Sequence, residues 1–183
     1  MDKELKISAE NALAAYNNTD ANGRELLEHL FGKEIFAQDI KDKVKTFEDA
    51  VAILGEEHPL VAQFRVIESS FKEADNNLHL FAYARLVIIA EALNEDWEPK
   101  FDSSMYRYYP WFYLYTKVEY EELDEDKRKE CRVVGWSPHY AFANNAASYL
   151  GASHGSRLAF KTKELAEYCG KQFIDIWEKF LFA

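Results

Sequence analysis

The chain has 183 residues, 48% hydrophobic and 15% aromatic, with a formal charge of −10. That apolar content supports a domain with a real core and excludes a largely disordered chain. Twenty-two basic against 32 acidic residues disfavour direct binding to nucleic acid, whose phosphates require positive partners.

The opening, MDKELKIS, is charged at once and has no apolar signal core. The longest apolar run, LVIIA (Leu86 to Ala90), is far too short to span a membrane, so no membrane partner is expected. Cys131 and Cys169 do not make a disulfide framework and read as free thiols. Few prolines and glycines and no repeat at solenoid periods predict one domain over 1–183, with 1–95 mainly helical and 96–183 mixed.

Helices come first. Ser8 can cap a short helix reaching Tyr16. Thr19 or Asp20 can start a second, with Leu26, Leu27, Leu30 and Phe31 on its apolar side and Gly32 ending it. In TFEDAVAILG, Thr46 is an N-cap answered by Asp49 three residues on. Phe47, Ala50, Val51 and Leu54 share one helical face, and Gly55 closes it. Pro59 suits the first turn of the next helix. Leu78 to Leu93 is apolar nearly all round, which predicts a helix surrounded by other elements.

The second half has strand character. YRYYPWFYLYT has high β propensity. Alternation puts Tyr106, Tyr108, Phe112 and Leu114 on one face and Arg107, Tyr109, Trp111, Tyr113 and Tyr115 on the other. Pro110 cannot donate to a ladder, so this strand is expected at an edge or bent there. The acidic run Glu119 to Glu130 reads as a solvated helix or loop. RVVGW (Arg132 to Trp136) and SRLAFK (Ser156 to Lys161) read as two further strands. Thr162 then caps a final helix from Lys163 to about Leu181, with Leu165, Cys169, Phe173, Ile176 and Phe180 as its stripe. Gly170 within it permits a close approach by another backbone.

Between the last two strands, residues 137–156 read SPHYAFANNAASYLGASHGS. None is Asp, Glu, Lys or Arg, where composition alone would place about six. The expectation is a long loop, and long loops inside compact domains are often functional; AFANNAASYL can instead form a helical turn or a strand. Tyr, Ser, Asn and Gly are favoured by recognition loops. Two readings stay open: packing on the protein's own core or an identical subunit, and recognition of another molecule. The candidate contacts are Tyr140, Asn144, Asn145, Tyr149 and His154, with Tyr109 and Trp111 of the aromatic strand and Arg157 beyond the loop. His139, His154, Cys131 and Cys169 lack zinc-knuckle spacing, so no metal or other cofactor is expected. No nucleophile elbow, P-loop, dinucleotide turn or HExxH is present, and no catalytic residue is assigned.

YRYYPWFYLYTK, followed by GSRLAFKTKELAEYCGKQFIDIWEKFLF, resembles a family of small, mostly uncharacterised proteins encoded by phages and prophages of gut Bacteroidetes. LLEHLFGKEIF, KTFEDAVAILG and ARLVIIAEALNEDWEPKF extend the likeness over nearly the whole chain. The resemblance implies phage origin, in the host cytoplasm or on the virion, and no particular chemistry. On about five residues, the polar aromatic loop leading into a Gly-x-Arg-Leu strand is also similar to ligand-displaying proteins of C-type-lectin architecture. The expected fold is α+β: four or five N-terminal helices beside a small antiparallel sheet, closed by a C-terminal helix. The expected role is a non-enzymatic accessory or binding protein that contacts another protein or an identical subunit through 137–156. A structural virion component and an enzyme of unidentified class are the alternatives.

Overall fold

A computed structural model describes residues 7–36, 39–71, 77–100, 104–134, 139–148 and 156–182. The chain divides into two compact units, Met1–Asp39 and Ile40–Ala183.

The first unit holds α1 (Ala9–Asn17), α2 (Ala21–Phe31) and a 3₁₀ turn at Lys33–Ile35. Ser8 accepts the N–H of Asn11 and Asp20 that of Gly23, so each helix starts at a side-chain cap. The Tyr16 ring stacks on Phe36 with centroids 4.4 Å apart, and the Tyr16 hydroxyl donates to Glu28 at 2.6 Å. Leu26 and Leu30, expected on the buried side of α2, are exposed.

The second unit begins with α3 (Ile40–Lys43), α4 (Phe47–Leu54), α5 (Pro59–Ser70) and α6 (Leu78–Asn94). The capping box at Thr46 is present: its hydroxyl accepts from the Asp49 N–H, and the Asp49 carboxylate accepts from the Thr46 N–H. Gly55 ends α4 at φ +86°, a conformation that favours glycine. α6 is the core helix that its all-round apolar sequence predicted. Leu86, Ile89 and Leu93 have no exposed surface, and α4 and α5 pack on it. Asn94 ends it, buried.

β1 (Arg107–Tyr115) follows, then two short exposed helices in the acidic run, α7 (Lys117–Glu122) and α8 (Glu125–Glu130). β2 (Arg132–Val134) and β3 (His139–Ser148) complete an antiparallel sheet in the order β1-β3-β2. β1 is an edge strand, one of the two outcomes expected from Pro110.

Three expectations are corrected. Residues 137–156 are not one long loop: 139–148 form the central strand β3, the strand alternative left open for AFANNAASYL. Its small side chains explain this, because buried Ala141 and Ala143 let a helix lie close against the strand. The SRLAFK strand is replaced by a 3₁₀ turn at Ser156–Leu158 and a single antiparallel bridge from Phe160 to Tyr108. Leu158, Ala159 and Phe160 are all buried, which alternation does not allow. The terminal helix breaks at Phe173 into α9 (Lys163–Gln172) and α10 (Ile174–Phe182). α9 covers β1 and β3, and α10 packs on α6. The fold is α+β. Among the described residues six α-helices precede the sheet and a broken helix closes it.

Candidate functional site

The pairing register of β1 and β3 builds the site. Tyr109 lies opposite Ala146, Trp111 opposite Asn144, and Tyr113 opposite Phe142. Opposite residues share a face, so these side chains form one side of the sheet. Phe112 and Ala143 point to the other side, where the Phe112 ring lies 5.5 Å from that of Trp177 on α10. Helices therefore cover one face. On the open one, Trp111 is 45% and Tyr113 48% exposed. The Tyr113 and Phe142 rings sit 6.4 Å apart at 34°. The Lys171 ammonium lies 5.7 Å from the Phe142 ring centre, close enough for a cation–π contact.

The candidates taken from sequence do not all meet there. Tyr109 is on the same face but only 2% exposed; it is part of the interior and offers no contact surface. Asn144 is half-buried beside Trp111. Asn145 turns to the helix side, where its amide donates to Glu167 at 2.5 Å. Tyr140 pairs through its backbone with Tyr115 and Val133. Arg157 is exposed in the 3₁₀ turn and borders a different cavity of about 220 Å³ with Leu60, Tyr83 and Val87. Tyr149 and His154 lie outside the described residues. Tyr113 and Phe142 were missed. Alternation along β1 already put Tyr113 beside Trp111, but Phe142 joins only through a cross-strand register.

A larger cleft of about 780 Å³ lies elsewhere in the second unit, lined in part by Phe47, Glu48, Glu56, Arg65, Glu68 and Arg85. The Arg65 guanidinium donates twice to Glu56, at 2.8 and 3.0 Å, and once to Glu68 at 3.0 Å. Those bonds hold the Glu56 carboxyl below its ordinary pKa, so Glu56 stays ionised and is a poor proton donor near neutrality. The Arg85 guanidinium lies 5.7 Å from the Phe47 ring and 5.6 Å from Phe64.

Cys131 and Cys169 are both buried. Burial pushes the Cys169 thiol up to about 12, partly offset by a hydrogen bond with Trp177. Burial, with Glu130 nearby, also raises Cys131. Neither is an activated nucleophile, which would need a depressed pKa. Among the described residues no three His, Cys, Asp or Glu side chains are grouped to hold a metal ion.

No family model matches the chain, and no curated protein or solved structure matches it.

Proposed function

We propose that the protein is a non-enzymatic, phage-encoded accessory protein that binds another protein through the open face of its sheet, with Trp111, Tyr113 and Phe142 as the contact residues. The exposure of two large aromatic side chains next to each other, on the part of this face beyond buried Tyr109, carries the reading. Aromatic side chains give much contact area for little conformational entropy and are enriched at interfaces. Neutrality supports it too. On this face Trp111, Tyr113, Phe142, Asn144 and Ala146 are all uncharged in a chain of net charge −10, so a partner seated on Trp111 and Tyr113 covers neutral side chains, with the Lys171 ammonium beside Phe142. Phage origin rests on the sequence resemblance alone.

Photo-crosslinking tests this. A benzoylphenylalanine placed at Tyr113 is expected to yield one dominant adduct with a different protein in the producing cells. The same group at Val118, exposed on α7, is expected not to give that adduct. Equal adducts from both positions, or adducts between copies of this chain alone, would count against the proposal.

A further inference from the structure

β3 outruns the strand on one of its sides. β2 pairs Arg132, Val133 and Val134 with Ala141, Tyr140 and His139. From residue 142 to 148, the one strand beside β3 among the described residues is β1. The direction of its main-chain groups follows from the alternation of antiparallel pairing. Tyr108 exchanges both its hydrogen bonds with Phe160, on the outer side of β1. Tyr109, Trp111 and Tyr113 therefore bond inward, and their partners Ala146, Asn144 and Phe142 bond back. Ala143, Asn145 and Ala147 turn their N–H and C=O groups the other way, past the end of β2.

What waits on that side differs by residue. The Asn145 N–H donates to Oδ1 of Asn144 at 2.8 Å. Ala143 is buried, and no strand flanks it there among the described residues. Buried main-chain donors nearly always have a partner. Beside Ala143 opens a cavity of about 250 Å³, walled by Lys129, Glu130, Arg132, Lys171 and Ile174. Three cations face it with one carboxylate, in a chain of net charge −10. Glu130 is already paired with Lys171 at 2.6 Å, and Lys129 with Asp126 at 3.3 Å. Arg132 is exposed and has no ion pair among the described residues.

The geometry points to a site for the free C-terminus of an extended peptide, added as a strand along the open edge of β3. A segment antiparallel to β3 lies in line with β2 and runs the same way, from Ala147 towards Ala143. Its last residue arrives beside Arg132. The terminal carboxylate then meets Arg132 and Lys171, and the peptide main chain accepts the Ala143 N–H. A segment laid parallel would bring its free ammonium to the same cations, which repel it. Charge thus selects both the strand direction and the chain end. Strand addition combined with capture of a terminal carboxylate is a general recognition mode. The site goes beyond the aromatic face and stands even if that face proves silent.

The test is selection from a displayed library of random peptides with free C-termini, on the intact protein, with counter-selection on Arg132→Glu. Enriched sequences are expected, and synthetic copies should lose about tenfold or more in affinity when amidated at the C-terminus, as expected when a charge-assisted contact is lost. Arg132→Ala and Lys171→Met should each lose a similar factor against the free acid and little against the amide. Arg132 is exposed, so Arg132→Ala should keep the parent melting temperature. Three results would overturn the site: no enrichment over the counter-selection, affinity indifferent to amidation, or affinity indifferent to both variants.

Discussion

Asn94, buried at the end of α6, holds Lys161 through its backbone: the Lys161 N–H donates to Asn94 Oδ1 at 3.0 Å. The same side chain donates from Nδ2 to the Ala159 carbonyl at 2.7 Å. A carboxamide thus bonds alternate main-chain groups as a neighbouring strand would, which fixes the segment leading into α9. Asn94→Ala strands both groups, and each such loss costs about 1–3 kcal/mol. Urea denaturation should show a lowered midpoint. Asn94→Asp keeps the acceptor but turns a carboxylate oxygen towards the Ala159 carbonyl in a buried site, and should lower the midpoint too. An unchanged midpoint for Asn94→Ala would refute the strand-like role.

Gly170 lies where α9 crosses the sheet. A Cβ there would come 3.2 Å from the Ala143 Cβ and 3.3 Å from the Pro110 Cβ. Alanine gains about 1 kcal/mol in helix propensity over glycine, so Gly170→Ala sets that gain against two tight contacts. Gly170→Val has no such compensation and overpacks the site, at about 1–3 kcal/mol. Adding Ala143→Gly should recover part of the loss in a double-mutant cycle.

The open face of the sheet and the core behind it should respond in opposite ways. Trp111→Ser and Tyr113→Ser fall on the open face and should leave the thermal midpoint nearly unchanged. Truncating Trp177, which is fully buried behind the sheet, should cost about 3–5 kcal/mol. Leu86→Ala or Ile89→Ala in α6 should cost about 2–5 kcal/mol. Differential scanning calorimetry reads all five. A large loss for the serine pair would mean that this face is covered in the folded protein.

The two thiols should be slow to react in the native state at pH 8 and fast in guanidinium, read with a chromogenic disulfide. The Cys169 thiol is pushed up to about 12 from 9.0. The raised value means that its neutral form is retained on folding. That stability is fully present below pH 9, where the unfolded thiol is also neutral, and is lost as pH rises from 9 towards 12. Cys169→Ala should flatten the alkaline side of the stability profile.

The capping box at Thr46 predicts an acid-side effect. The Asp49 carboxyl is held below its ordinary 3.8, chiefly by the Thr46 N–H. A depressed carboxylate contributes stability that is present above its unfolded pKa and lost as pH falls through its folded one. Asp49→Asn should therefore matter less at pH 3 than at pH 7. Thr46→Ala, which removes the hydroxyl half of the box, should cost about 0.5–2 kcal/mol.

Local rules made much of the fold legible. Thr46 with Asp49, Pro59 and Gly55 marked helix ends because caps and turns depend on a few adjacent residues. The face assignment of Trp111 and Tyr113 followed from the two-residue period of a strand. β3 stayed undecided between loop, helical turn and strand because alanine and asparagine have little strand propensity, and only neighbours far along the chain make that segment a strand. The break at Phe173 leaves the apolar stripe intact, since Phe173 is buried and Ile176 and Phe180 pack against the same core, so no period betrays it.

The sequence by itself determined several helix caps, which helix is the core, and that one stretch carries no charge. Those properties are set by residues within a turn or two of each other. Only the tertiary structure decided that the neutral stretch is a central strand, that Phe142 joins Trp111 and Tyr113, and that Ala143 faces a basic cavity. Each depends on the register between segments some thirty residues apart. A slip of one position would send every side chain of β3 to the opposite face, and the uncharged composition of β3 does not by itself forbid that slip.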